Sequence, residues 1–559
     1  MKWRYRFVLL FYLCCFFAVI LRLAHWQIVE ADSLSLIGES QYGRSITLTP
    51  KRGEVKTSDN FPIAANRLAY LVFANPKQIA DIETTSQILS PLLETEVASI
   101  SSLLSLNRYW VALSPGVTHE KKEQIEKLGI KGVGFEEQYV RYYPEASTAA
   151  QLLGFVGKND EGRNQGYFGL EGYYDRQLRG RESKAVQIHD ALGRPILARM
   201  SDAVGGDDGR DLILHIDRAV QYMVEDELKV GIEKYGAQGG MIIIMNPKTG
   251  AVLSMASLPT FDQREYRDFD DSLFRNPIVS STYEPGSTFK PLIMSSAIDA
   301  GLVTAQTKCT ICDKPVSLGG YEIRTWNNKY RPNATMMEVI QNSDNTGMVF
   351  AGQKLGLTRM LSYLDRFGIG ELTGIDLQGE APAILREPDS WYKIDLATAS
   401  FGQGISITPI QLISAFSAIA NEGIRMEPHV VDRIETGDGR IIPVPEKVLA
   451  KPISPATAKI MTEILVNAVD KGESKWAKPK GYRIAGKTGT AQIPIEGKYD
   501  PNKTIPSFIG FAPADDPKFI MLVVLDRPTT SIYGSETAAP LFFSIAKKLL
   551  LYYGIPPTD

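Results

Sequence analysis

Pro285-Gly286-Ser287-Thr288-Phe289-Lys290-Pro291 is the stretch that decides how this chain is read. Tyr283 and Glu284 lead into a Pro-Gly break ahead of it, and an apolar run over 292–300 behind it stops at Gly301. The pattern predicts a helix that begins within a few residues of Ser287. Pro291 supports that start, because the first helical turn leaves its amides unpaired and loses nothing to a residue without an N–H. Residues three apart share a helix face, so the Lys290 amine can approach the Ser287 hydroxyl while the helix N-terminus favours developing negative charge. A serine hydroxyl is a poor nucleophile near neutral pH. Lys290 can act as its general base only when neutral, which burial or a nearby cation such as Lys487 would bring about.

Two further motifs follow in order. Ser343-Asp344-Asn345 interrupts helical patterns over 336–342 and 347–356, which predicts a loop. There Ser343 can relay a proton between Lys290 and a leaving amine, and the Asn345 amide can both donate to and accept from a peptide. In isolation the triplet reads first as a helix cap. Lys487-Thr488-Gly489-Thr490 lies in a run of small residues over 483–492, which predicts a strand that another backbone approaches closely. A substrate could add to it as a further strand. Lys487, Thr488 and Thr490 suit a terminal carboxylate, and the Thr490 and Ser287 amides could surround an oxyanion. Each motif also has decoys in the chain. Ser390/Lys393, Ser544/Lys547, Ser58-Asp59-Asn60 and Lys248-Thr249-Gly250 repeat the patterns. Their contexts are a segment with no turn before it, an apolar C-terminal helix, a polar turn, and a turn between two apolar runs.

In this order the motifs resemble those of the class B penicillin-binding proteins, and the likeness extends along nearly the whole chain. Arg141-Tyr142-Tyr143-Pro144, Leu153-Gly154-Phe155-Val156-Gly157 and Gly169-Leu170-Glu171-Gly172 look like the family's non-catalytic region. Gly402-Gln403-Gly404, Thr408-Pro409 and Ser507-Phe508-Ile509-Gly510-Phe511 look like its transpeptidase domain. Asp344 departs from the Ser or Thr often found between the second serine and the asparagine, and leaves Ser343 and Asn345 in place. The resemblance implies an α+β fold of the penicillin-binding and serine β-lactamase type: an antiparallel sheet flanked by helices, an all-helical subdomain, and a cleft between them. It implies a peptidoglycan D,D-transpeptidase with Ser287, Lys290, Ser343, Asn345 and Lys487 as catalytic residues. Thr488, Gly489 and Thr490 would bind substrate, and the Ser287 and Thr490 amides would form the oxyanion hole. Peptidoglycan stem peptides would be its substrates and β-lactams its inhibitors. A SEDS-family glycosyltransferase and division proteins would be its membrane partners. Length and the lack of a large extra insertion favour the division-specific FtsI type over the elongation type. A membrane-anchored β-lactamase and a non-catalytic β-lactam sensor are the other classes to separate.

Independently of the resemblance, 239–245, 251–257, 484–492, 507–512 and 519–525 read as strands, and 538–552 as a closing helix. Upstream, Pro50 to Val55 and Pro62 to Asn66 flank the Asp59-Asn60 turn like a hairpin, and Gly205 to Gly209 suggests a hinge. The expected division is a cytoplasmic tail 1–6, a transmembrane anchor 7–26, a mostly β pedestal 27–211 and a transpeptidase domain 212–559. Lys2, Arg4 and Arg6 precede the apolar run 7–21, while Arg22 can snorkel and Trp26 suits an interface. No small-x-small cleavage pattern follows, so a retained single-pass anchor is expected. It would lie in the bacterial cytoplasmic membrane, with the N-terminus inside and the catalytic domain outside.

Of the 4 cysteines, Cys14 and Cys15 fall in the apolar run. Cys309 and Cys312 leave a disulfide, two idle thiols, a redox pair and half a zinc site as readings, the first two suiting an oxidising exterior best. The 5 histidines show no ligand spacing, so neither a metal nor a cofactor is expected. With 61 basic against 64 acidic residues and no basic cluster, nucleic acid is an unsuitable partner.

Overall fold

The structure, a computed structural model, describes residues 2–34, 37, 43–189, 195–200, 206–495 and 498–557. The chain forms two compact units that are not contiguous in sequence. One comprises Met1–Arg52, Asn66–Val140 and Arg179–Gly209, and the other Gly53–Ala65, Arg141–Leu178 and Arg210–Asp559. Within the expected hinge, Gly205 lies outside the described residues. Gly209 closes the first unit and Arg210 continues the second.

In the first unit the helix Lys2–Ala24 continues into a wider turn, His25–Val29, so the apolar segment Lys2–Val29 runs for 28 residues with no side chain buried. That is long enough to cross a bilayer. The Arg22 guanidinium sits 5.0 Å over the Trp26 ring, a cation–π contact near the end of the apolar segment. Elsewhere in this unit, Tyr70 to Ala74 pair with Val111–Val117, and Gly43–Leu48 pairs with Ser183–His189. Three helices accompany the strands: Ile82–Leu93, Val97–Leu104 and His119–Lys127. Asp81 and Thr118 cap the first and last through their side chains. Their apolar faces enclose a small core of Val72, Leu89, Ile100, Leu104 and Val111.

The second unit is built on one antiparallel sheet. In chain order its principal elements are α1 (Arg218–Tyr235), β1 (Gly239–Met245), β2 (Val252–Leu258), α2 (Lys290–Asp299), α3 (Met336–Gln341), α4 (Asn345–Leu355), α5 (Pro409–Ala420), α6 (Pro455–Lys471), β3 (Ala485–Ile495), β4 (Lys498–Ala512), β5 (Phe519–Asp526) and α7 (Ala538–Tyr552). The strand order is β2-β1-β5-β4-β3, every neighbour antiparallel, which leaves β3 at an edge. Alternate residues of β1 point to opposite faces. Ile242 and Ile244 enter a core shared with α1 and α7, whereas Ile243 and Met245 enter the core that holds α2, α4 and α5. Both faces of the sheet are covered, which is why β5 is buried from Phe519 to Leu525 and reads as a continuous apolar run. Each fully buried phenylalanine, such as Phe508 on one face and Phe511 on the other, contributes about 1.5–3 kcal/mol.

Helices α2 to α6 all arise between β2 and β3, the insertion that the sequence places there. α2 is buried from Lys290 through Ile298, so it forms the centre of the helical lobe rather than its surface. Cys309 and Cys312 are joined in a disulfide, which resolves the choice left open by their spacing. In the Val55 to Ala64 region the expected hairpin is present: Val55 lies opposite Ala64, and Asn60 occupies the left-handed turn at φ 64°.

Candidate active site

The nucleophile turn is built from the residues that open α2. Gly286–Thr288 forms a single 3₁₀ turn that runs directly into α2, and Pro291 sits in the first helical turn as its chemistry requires. The turn is tied down on both sides. The Gly286 N–H donates to Gly402 O at 3.0 Å, and the Thr288 hydroxyl donates to Pro285 O at 2.7 Å. Ser287 is left half-buried and Lys290, one turn on, is completely buried.

The second motif lies at the junction of α3 and α4, with Asn345 already the first residue of α4 rather than part of a loop. Asp344 is the N-cap of α4: its carboxylate accepts from the Gly347 N–H at 3.2 Å and from the Thr346 hydroxyl at 2.7 Å. The capping reading is therefore correct for the middle residue. The flanking residues do something else. Ser343 adopts φ 53°, a conformation that costs a non-glycine residue about 1–3 kcal/mol, and this turn aims both its carbonyl and its hydroxyl at α2. The Lys290 amine donates to Ser343 O at 2.7 Å and to Asn345 Oδ1 at 2.8 Å, and lies 3.3 Å from Ser343 Oγ. The Ser343 hydroxyl in turn donates to Ser287 Oγ at 2.9 Å. Sequence spacing suggested a direct approach of Lys290 to Ser287. In the structure a serine hydroxyl from another element bridges them.

The protonation state follows from the surroundings. Burial, and after it the charge of Lys487, holds the Lys290 amine well below the usual lysine range. A neutral amine has two N–H donors and one lone pair. Ser343 O and Asn345 Oδ1 can only accept, so they take the two donors, and the lone pair is left for Ser343 Oγ, the one partner able to donate. Hydroxyl hydrogens rotate freely, so the row can reverse to Ser287 O–H to Ser343 Oγ and Ser343 O–H to Lys290 Nζ without any heavy atom moving. That is a proton path away from Ser287.

The third motif is on β3, the sheet edge. Lys487 is buried and donates to Thr488 O and Thr488 Oγ1, both at 3.0 Å; burial lowers its pKa to about 8. Gly489 has no room for a side chain. A Cβ there would stand 2.8 Å from Thr288 Cγ2 and 2.3 Å from Ser507 Oγ, so its absence lets β3 press against the nucleophile turn. Thr490 is half-buried, and its hydroxyl accepts from the Gly534 N–H at 3.0 Å while keeping its own hydrogen for a ligand. Asn345 uses Oδ1 on Lys290 and one Nδ2 hydrogen on Arg324 O at 2.9 Å, which leaves one donor for a ligand. The structure thus gathers Ser287, Lys290, Ser343 and Asn345 into one bonded group, with Lys487 within electrostatic reach of Lys290 and Gly489 against the Ser287 turn. The decoys stay apart. Ser544 and Lys547 are on α7, and Lys248-Thr249-Gly250 forms the turn between β1 and β2.

Residues 240–550 match the penicillin binding protein transpeptidase domain, and residues 47–214 match the penicillin-binding protein dimerisation domain. The chain belongs to the class B penicillin-binding proteins. Stage V sporulation protein D of Bacillus subtilis (strain 168) is 35% identical over 99% of this chain and 86% of that protein. Peptidoglycan D,D-transpeptidase FtsI of Escherichia coli (strain K12) is 28% identical over 96% of this chain and 89% of its own length. Among solved structures, a peptidoglycan synthetase from Bifidobacterium adolescentis matches with a TM-score of 0.74 and 26% identity, covering 92% of this chain and 98% of that one. Penicillin binding protein 3 of Mycobacterium tuberculosis, complexed with aztreonam, matches with a TM-score of 0.72 at 25% identity over 92% and 98% of the two chains. This penicillin-binding protein accordingly has the family's mixed α+β transpeptidase fold, a dimerisation domain before it and one N-terminal helix apolar enough to span a membrane.

One residue of the site has no signal in the sequence. Glu473, just beyond α6, is half-buried with its Oε1 shielded from solvent; burial pushes its carboxyl above the usual range, against the opposing charges of Lys487 and Arg331. No motif or spacing marks it, because its proximity arises only when α6 packs along β3. The Gly489 contact yields a direct test. Gly489→Ala should destabilise the protein by about 1–3 kcal/mol through overpacking. Gly437→Ala, where a Cβ meets nothing within 4 Å, should stay within about 0.5 kcal/mol. Thermal midpoints of the two variants, measured side by side, check the difference; equal midpoints would remove the argument for close packing at Gly489.

Proposed function

We propose that this penicillin-binding protein cross-links peptidoglycan through an acyl-enzyme on Ser287. The single observation that carries the reading is the row Ser287 Oγ, Ser343 Oγ, Lys290 Nζ, with spacings of 2.9 and 3.3 Å, ending on an amine kept neutral by burial. Ser287 attacks the carbonyl between the two terminal D-alanines of a donor stem peptide. Its proton moves to Ser343 as the Ser343 proton moves to Lys290. The Ser287 and Thr490 amides receive the oxyanion. Ser343 then returns the proton to the departing D-alanine amine, and the amine of a neighbouring stem resolves the ester. Lys487, Thr488 and Thr490 hold the donor carboxylate, Gly489 admits the donor chain along β3, and Asn345 orients its peptide bond. The free β3 edge supports an extended donor, since an unpaired strand offers backbone groups to a chain laid beside it. A β-lactam would enter the same cycle and stop at the ester.

We assign the division near residue 211, with 27–211 as the partner-contacting pedestal and 212–559 as the catalytic part. Lys2, Arg4 and Arg6 before the span support a cytoplasmic N-terminus in the bacterial cytoplasmic membrane and an external catalytic domain. The similarity to FtsI supports a septal role, with a SEDS-family glycosyltransferase and division proteins as membrane partners. A second reading comes from the relative named for stage V of sporulation, which is the more similar of the two in sequence.

Intact-mass measurement after benzylpenicillin should show one adduct, mapped to Ser287 and absent from Ser287→Ala. Ser343→Ala should slow its formation by a factor of about 10²–10⁴, as loss of a proton-transfer group does. Labelling of Ser287→Ala would overturn the assignment. The acylation rate should fall above about pH 8, where Lys487 loses the charge that pairs with the ligand carboxylate; a rate still climbing past that point would exclude the pairing. Depletion in a rod-shaped host should give filaments. Rounded cells would indicate an elongation role, and normal growth with a block confined to spore formation would indicate the second reading. A reporter fused to the C-terminus should be active only outside the cytoplasm, and cytoplasmic activity would reverse the topology.

A further inference from the structure

Glu473 is a half-buried acid that the reaction above does not use. It follows Gly472 at the end of α6, where a Cβ on that glycine would stand 2.9 Å from Gln341 O, so the segment is packed against the end of α3. Its Oε1 is shielded from solvent and has no hydrogen-bond partner. An unpaired carboxylate oxygen in such a place is costly unless cations surround it. Here they do. Burial pushes the Glu473 carboxyl above its ordinary range, and against that Lys487 from β3 and Arg331 from the segment before α3 favour its charged form. Asp344, at the start of α4, is the other acidic group that bears on Lys290.

The lysines do not share this acid equally. Lys290 already has Ser343 and Asn345 as bonded partners. Lys487 is bonded only to the carbonyl and hydroxyl of its neighbour Thr488, both neutral. Among the described residues, Glu473 is the carboxylate that favours the charged form of Lys487 against its burial. We propose that Glu473 is a positioning residue of the site: its carboxylate keeps Lys487 cationic in a desolvated cleft, and so makes the enzyme selective for ligands that carry a carboxylate. The inference rests on the transpeptidase reading and names the group that sets its selectivity. Glu473 acts through Lys487 and does not itself touch the reacting atoms.

Removing the negative charge while keeping the shape should therefore lower the pH at which Lys487 loses its proton. The test compares wild type, Glu473→Gln and Glu473→Asp, with acylation of Ser287 followed from pH 6 to 10 by benzylpenicillin and by its methyl ester. With benzylpenicillin, the alkaline fall that begins near pH 8 in wild type should begin about 1 pH unit lower in Glu473→Gln, roughly a tenfold loss of rate above it. The ester has no carboxylate to pair, so its alkaline limb should be the same in all three proteins. Glu473→Asp retains the charge and should lie nearer wild type. Coincident benzylpenicillin profiles for wild type and Glu473→Gln would show that Glu473 is neutral in the site and would overturn the proposal. Equal losses for acid and ester would overturn it too, as the mark of a merely structural role. Wild-type protein that forms no adduct at all would instead bring down the transpeptidase reading, a result distinct from an unshifted profile in a protein that acylates.

Discussion

A lysine amine with no access to water is the constraint around which the catalytic unit is arranged. Burial makes the ammonium form expensive, and the neutral amine is tolerated only because oxygen acceptors stand at hydrogen-bonding distance. Supplying them fixes much else. Ser343 must take a left-handed backbone conformation to turn its carbonyl inward, and Asp344 must cap α4 to hold that turn. α2 must be buried on every side, because it forms the centre of the helical lobe. The nucleophile is then placed almost as a by-product. One turn before Lys290 the chain emerges from the core, and Ser287 is the first side chain that meets both the buried amine's relay and the cleft.

Cations and acids around the cleft form a graded set rather than isolated pairs. Lys290 lies deepest and is held neutral, Lys487 is buried near the boundary between charged and uncharged, and Glu473 offsets part of the cost of that charge. Burial, and the charge of Lys487 acting on Lys290, separate two lysines that are chemically identical in the unfolded chain. One is suited to accept a proton and the other to attract an anion.

The three motifs were legible because their chemistry and their local structure agree: Pro291 marks a helix start, Gly489 a close approach, and Ser343-Asp344-Asn345 a break between helices. The buried strands were legible as well, since β1 and β5 are continuous apolar runs. What escaped was everything set by partners distant in sequence. β4 begins at Lys498 rather than near Ser507, because its outer half, with Asp500, Asn502 and Lys503, has no apolar alternation and is held by backbone pairing to β3. The helix His119–Lys127 of the first unit is short and largely charged, so its apolar periodicity is weak. The bridging position of Ser343 and the presence of Glu473 depend on packing between elements, which no local pattern encodes. The two units interleave along the chain, and the return of Gly53–Ala65 and Arg141–Leu178 to the second unit is marked by no local pattern.

The open edge of β3 has a cost outside catalysis. A row of unpaired N–H and C=O groups is indifferent to whose backbone it pairs with, and a strand from a partly unfolded copy suits it as well as a stem peptide does. Most proteins blunt such edges with charge or cover them. This one keeps β3 at the sheet edge, so resistance to aggregation and admission of substrate draw on the same few backbone groups.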